Sequence, residues 1–201
     1  MKSVCFSFVN FKSMVKLMYN REDFMEYLAL YDENGKKLSE RIERVNKLTL
    51  KDGKHFKVVI VFIENKKGEF LIQKVSKQKG SMYATTGGHV QYGASSLETI
   101  KSEIEEELGV SIQSGYQLYE TGKCAKSFVD CYYVKTELDI QSLKLQEEEV
   151  ESVEWMSREK IKNLIQTHQF RERNILPYYD LLEILKKGPL NQHPRIYKEV
   201  L

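Results

Sequence analysis

Apolar positions along the chain recur with two periods, and the switches between them lay out the elements. Residues 26–31 and 36–42 alternate around Asp32-Glu33-Asn34-Gly35, where Asn-Gly supplies the positive φ angles of a tight turn, so the pattern predicts a hairpin. Residues 56–63 are rich in β-branched side chains, and residues 69–75 resume the alternation after the turn-like Asn65-Lys66-Lys67-Gly68, which predicts a second strand pair in a core sheet. From Leu97 the spacing changes to Leu97, Ile100, Ile104 and Leu108, the apolar stripe of a helix that stops before Gly109. Its start is also written locally: Ser95-Ser96-Leu97-Glu98 matches a capping box. Further strands are predicted at 117–121, 127–135 and 150–155, with a helix over 158–167 capped by Ser157. A last helix, over 177–187, has Pro177 at its tolerated first position and ends at Gly188-Pro189. Strands interrupted by a few helices give an α+β fold, with helices packed on a sheet.

Length changes this picture little. The 201 residues suffice for one well-buried domain and not two. The expected organisation is an extension over 1–24, a domain over 25–188 and a tail over 189–201, since the three prolines all follow residue 176. The 31 basic residues nearly balance the 29 acidic ones, leaving a net charge of +2, so no global field marks a nucleic-acid or membrane-surface protein. Cys5, Cys124 and Cys131 have no zinc-ligand spacing and suit a reducing cytoplasm, the expected location. The apolar opening at 4–11 is too short for a signal-peptide core in its context, and no apolar run is long enough to span a bilayer.

The candidate chemistry lies in Gly87-Gly88-His89-Val90-Gln91-Tyr92-Gly93 and the capped helix that follows. Steps of 100° put Glu103, Glu106 and Glu107 on one arc of that helix, beside the arc of Leu97, Ile100, Ile104 and Leu108. Carboxylates so close repel one another unless a cation or deep solvation offsets the charge, and hard oxygen donors favour Mg²⁺ or Mn²⁺. Spacing to the glycines adds specificity. The segment resembles the Nudix box, G-x5-E-x7-R-E-U-x-E-E-x-G-U with U apolar. The motif glycine falls on Gly88, and the later part falls without a gap on Glu103, Ile104, Glu105, Glu106, Glu107, Leu108, Gly109 and Val110. Two positions depart: Ala94 stands for the first motif glutamate and Ser102 for the arginine.

The resemblance implies a Nudix fold, an α/β/α sandwich with a mixed sheet between helices, and hydrolysis of a nucleoside diphosphate linked to another moiety. It also implies divalent metal on Glu106 and Glu107, with Glu103 a further ligand or the group that activates water and the Gly88 carbonyl completing the shell. Gly87, Gly88 and His89 would meet the substrate, through a loop. Glu149, amid Glu147, Glu148 and Glu151 before a strand ending at Trp155, is a further catalytic candidate. A narrower resemblance, carried by Tyr31-Asp32-Glu33-Asn34-Gly35, His55, Gly87-Gly88-His89 and Glu147-Glu148-Glu149-Val150, is to the branch related to isopentenyl-diphosphate isomerase. There a cysteine stands where this chain has Gly87, and His55 and His89 match metal-binding histidines. The chain is thus expected to be a Mg²⁺-dependent diphosphate hydrolase, acting on a small molecule rather than nucleic acid or membrane. Alternatives are an isomerase-like enzyme or a diphosphate-binding module with little turnover, and a homodimer is left open. Losing both Ala94's and Ser102's motif partners conserves net charge and is expected to leave the glutamates less rigidly held.

Overall fold

A computed structural model describes residues 25–45, 50, 53–124, 127–188, 190 and 196–200, with Cys124 and the last five by backbone alone. The order is β1 (Tyr27–Tyr31), β2 (Lys37–Glu43), β3 (Phe56–Glu64), β4 (Phe70–Val75), β5 (Tyr83–Ala84), β6 (Thr86–His89), α1 (Ser96–Leu108), β7 (Gln117–Cys124), β8 (Ser127–Lys135), β9 (Val150–Met156), α2 (Arg158–Gln166), α3 (Ile175–Lys187) and β10 (Ile196–Val200). The expected extension over 1–24 lies outside the described residues.

β3 explains the layering. Its Val58, Ile60 and Phe62 join Ile161 and Leu164 of α2 and Tyr178 and Leu181 of α3 in one core, while Val59, Val61 and Ile63 join Ile100, Ile104 and Leu108 of α1 in another. Successive side chains of a strand point to opposite faces, so a strand covered on both sides reads as an unbroken apolar run. The result is the expected α/β/α sandwich around a mixed sheet. β3 pairs in parallel with β8, and β8 runs antiparallel to β7. At the outer edge, β10 lies parallel to β7 from Ile196↔Glu120 to Val200↔Cys124. The segment expected to be a tail therefore contributes an edge strand. A pairing made across such a sequence distance leaves no local signal.

The second strand pair is a hairpin only at its tip. Asn65 Oδ1 accepts from Lys67 N at 2.9 Å and Glu69 N at 3.0 Å, and the turn closes on Gly68 at φ 78°. Beyond Glu64↔Phe70 the strands fork: β3 pairs with β6 from Val58↔His89 to Val61↔Thr86, while β4 pairs with β5 and β9. The expected Gly87-Gly88 loop is therefore a strand.

Local chemistry set the helix ends. Ser95 Oγ accepts from Glu98 N, Glu98 Oε2 accepts from Ser95 N at 2.8 Å, and Gly109 adopts φ 66° at the C-terminus of α1. Leu97, however, is exposed, and the buried stripe starts at Ile100. Ser157 caps α2 by accepting from Lys160 N. α3 begins at Ile175, so Pro177 is its third residue, within the first turn, where a proline costs no hydrogen bond. The β1–β2 connection is wider than a two-residue turn: Asp32 Oδ1 accepts from Asn34 N and Lys36 N, and only Gly35 takes positive φ, at 77°. This hairpin is fastened to the segment after β6 by Ala29 N donating to Val90 O and Tyr92 N donating to Tyr27 O. No helix among the described residues is long and apolar enough to cross a membrane.

Candidate active site

The fork between β3 and β4 opens into a cleft of about 450 Å³ that collects Gly88, Glu103, Glu106, Glu107 and Glu149 together with Arg44, Lys79, Arg171 and Arg173. One wall comes from β6 and α1. Because α1 enters directly after β6, its glutamate arc faces back across Gly87-Gly88. A Cβ on Gly88 would overlap the Glu103 carboxylate, and one on Gly87 would run into the Val59 carbonyl. Glycine thus admits two close approaches, of a movable side chain at 88 and of fixed backbone at 87.

The carboxylates differ in setting. Glu107 is buried, and Gln73 Nε2 donates to its Oε2 at 3.0 Å while Thr86 Oγ1 donates to Gln73 Oε1 at 3.2 Å. Burial pushes the Glu107 pKa up to about 8, with Glu103 and Glu149 adding repulsion against the Gln73 hydrogen bond. Burial, then repulsion from Glu106, raises Glu103 to about 7, against the pull of Arg44. Glu106 is exposed at the cleft mouth. His89 lines the cleft with its ring edge-on to Phe56, and withdrawal from water with Arg44 and Arg173 nearby lowers its pKa to about 4, so it is neutral at neutral pH.

The opposite wall hangs on the β4 branch. Of the four clustered acidic residues before and at the start of β9, Glu149 alone lines this cleft, in an ion pair with Lys79 at 2.9 Å. Glu149 N donates to Gln146 O, and its own carbonyl accepts from Ser76 N, which fixes the backbone there. Glu147 and Glu151 border a different surface hollow, and Glu151 pairs with Lys74 at 2.8 Å.

Sequence reasoning missed the cations and Gln73. Arg44 arrives from the end of β2, held by Glu26 through Nη1 contacts of 2.7 and 2.8 Å and by its own N–H donating to Glu26 O at 2.7 Å. Burial alone would lower its pKa, but Glu26, Glu103 and Glu149 raise it overall. Arg171 and Arg173 sit on the turn between α2 and α3. A basic residue at a strand end or a short turn has no motif, and only the alternation of Arg171 and Arg173 around Glu172 was there to be seen. Three residues singled out in the sequence lie outside the cleft lining. His55 lies off the cleft, edge-on to Phe128 with its backbone bridging Tyr31. Ala94 and Ser102 also lie outside the cleft lining, so positive charge beside Glu103 comes from Arg44 rather than from the box position.

The donor set fits a divalent cation. Glu103 and Glu107 are hard oxygen donors whose raised pKa values record too little positive charge for their burial, and Gly88 lets its backbone and the Glu103 carboxylate meet. Among the described residues no three such groups already converge on one point.

Fold and cleft together describe a sandwich built to handle a charged small molecule. The NUDIX domain family matches residues 54–179, more than half of the chain, and the chain belongs to the Nudix family. It is an enzyme of the Nudix hydrolase type. An uncharacterised Nudix hydrolase of Listeria monocytogenes is 28% identical over 165 residues, covering 80% of this chain and 94% of that protein. One from Listeria innocua is 29% identical over 167 residues, covering 81% and 95%. A crystal structure from Deinococcus radiodurans superposes with a TM-score of 0.62 at 21% identity, over 81% of this chain and 98% of that one, a likeness of fold.

Proposed function

We propose that the protein hydrolyses a phosphoanhydride bond in a nucleoside diphosphate derivative or a related diphosphate, with Mg²⁺ or Mn²⁺ held by Glu106, Glu107, Glu103 and the Gly88 carbonyl. The observation that carries this reading is the meeting of Glu103, Glu106, Glu107 and Glu149 with four cationic side chains in one cleft. A bound divalent cation would neutralise the diphosphate and polarise its phosphorus. Arg44, Lys79, Arg171 and Arg173 supply the remaining positive charge, and Gly87, Gly88 and His89 form the floor against which the substrate lies. Water's oxygen bonds to one phosphorus, the bridging P–O bond breaks, and its electron pair leaves on the other phosphate. Water's proton passes to a carboxylate, either Glu103 beside Gly88 or Glu149 across the cleft. Hydrolysis is favoured over isomerisation because Gly87 offers no proton-carrying side chain and its surroundings have no room for one. The setting we assign is the cytoplasm, consistent with the buried free thiol of Cys131.

The test is metal-dependent phosphate release from nucleotide sugars, dinucleotides, nucleoside di- and triphosphates, coenzyme A and isoprenyl diphosphates. Release that needs Mg²⁺ and disappears in Glu103→Gln is the expected result. Binding without release would make the protein a diphosphate-binding module, and interconversion of isopentenyl and dimethylallyl diphosphate would make it an isomerase.

A further inference from the structure

Arg171 and Arg173 differ from the other arginines near them. Arg44 is tied to Glu26 and Arg158 to Glu64, at 2.7 and 3.2 Å, whereas neither Arg171 nor Arg173 has a side-chain hydrogen bond or ion pair with any described residue. Both nonetheless line the catalytic cleft, facing the α1 glutamates. Their backbone is pinned. Phe170 before them and Asn174 after them are each 1% exposed, Arg171 N donates to Tyr83 O at 2.8 Å, and Asn174 N donates to Arg171 O at 2.9 Å across the 3-10 turn Glu172–Asn174. Two arginines are therefore carried on a fixed turn, with Arg173 close enough to feel the charge of Arg171. Crowding by protein, then the charge of Arg171, pulls the Arg173 pKa below its ordinary value although that side chain still reaches solvent at the rim.

Like charges brought together on one turn favour a ligand with more than one negative charge and several acceptor oxygens. A terminal phosphate qualifies: it carries roughly −1.5 to −2 at neutral pH, with three free oxygens for forked N–H donors. A phosphate esterified on its outer side carries a single charge and has one fewer free oxygen to offer such donors.

We propose that Arg171 and Arg173 form a subsite for a free terminal phosphate, so that the substrate class is a monoesterified di- or triphosphate rather than a diphosphate capped at both ends. This rests on the diphosphate-hydrolase reading and narrows it. Water attack then breaks the anhydride bridge and releases phosphate or diphosphate on the arginine side, with the water proton passing to the carboxylate named above.

The test uses inert probes without a base: the monomethyl ester of methylenediphosphonate, which keeps one free terminal phosphonate, and its P,P′-dimethyl ester, which keeps none. Calorimetry in Mg²⁺ on the full chain is expected to show the monoester binding about tenfold more tightly, as one lost charge-assisted contact would predict. Arg171→Gln and Arg173→Gln should each erase that preference, weakening the monoester far more than the dimethyl ester, with the melting temperature unchanged. Equal binding of the two probes, a preference that survives both variants, or absence of binding by either probe overturns the subsite. Failure of the hydrolase reading is seen separately, as no metal-dependent phosphate release from the wider substrate panel.

Discussion

Glu107 carries two opposed demands. Its burial against Gln73 is costly while the carboxylate is charged, and that same charge is what a divalent cation requires. Glu107→Gln removes the charge, keeps the size and is expected to preserve the fold, yet it should lower turnover about 100-fold or more and weaken Mg²⁺ binding. Glu106→Gln should do the same from an exposed position, and metal titration of the folded variants checks both. Unchanged affinity in both would mean that the cluster holds no metal. A pH dependence follows in metal-free protein. The Glu107 carboxyl has its folded pKa raised from 4.5 to about 8, and Glu103 from 4.5 to about 7, so the folded state binds more protons than the unfolded chain. Their contribution to stability is complete below about 4.5 and is lost as pH rises through 7 and 8. Metal-free protein should melt several °C lower near pH 9 than near pH 6, a difference of roughly a few °C per kcal/mol for a chain of this size. Glu107→Gln should flatten that fall, and Mg²⁺ should reverse it at high pH.

Elements were legible in the sequence where their signals are local. The capping box, the Gly109 stop and the Ile100, Ile104, Leu108 stripe placed α1 and its glutamate arc, and the box register put Gly88 against Glu103. β6 was not legible, because Thr86-Gly87-Gly88-His89 has poor strand propensity and becomes a strand only by pairing with β3. The two glycines in it predict different failures. Gly88→Ala pushes on the movable end of Glu103, so stability should change little while turnover falls about tenfold or more. Gly87→Ala pushes on the Val59 carbonyl, which belongs to the sheet, and should cost roughly 1–3 kcal/mol of stability. Thermal melts beside kinetics separate them. A stable, fully active Gly88→Ala protein would mean that Glu103 is not held where the reaction needs it.

Across the whole molecule, the site depends on contacts between segments far apart in the chain, which is why its cations escaped sequence reasoning. Arg44 reaches Glu103 only because the β1–β2 hairpin is laced to residues 90–92 and closed by Glu26. Arg44→Ala should therefore lower turnover by about 10- to 100-fold with a smaller change in substrate binding, as expected for a group that orients a carboxylate. Adding Ser102→Arg to that variant should restore part of the rate, because position 102 adjoins Glu103 on α1. Equal rates with and without Arg44 would show that the hairpin only shields the cleft.

The fork between β3 and β4 has a consequence for how such an enzyme can change. Glu103, Glu106, Glu107 and the two glycines ride on the β6 branch and α1, whereas Gln73, Lys79, Glu149, Arg171 and Arg173 ride on the β4 branch or the turn joined to it through Tyr83. The Phe170–Asn174 turn is joined to the sheet through Tyr83 and not to the register of β6 on β3, so on the reading proposed above the outer-phosphate contacts and the α1 glutamates are inherited on separate pieces of chain. A lineage could then trade one anionic cargo for another by rewriting a five-residue turn, with the α1 carboxylates passed on intact.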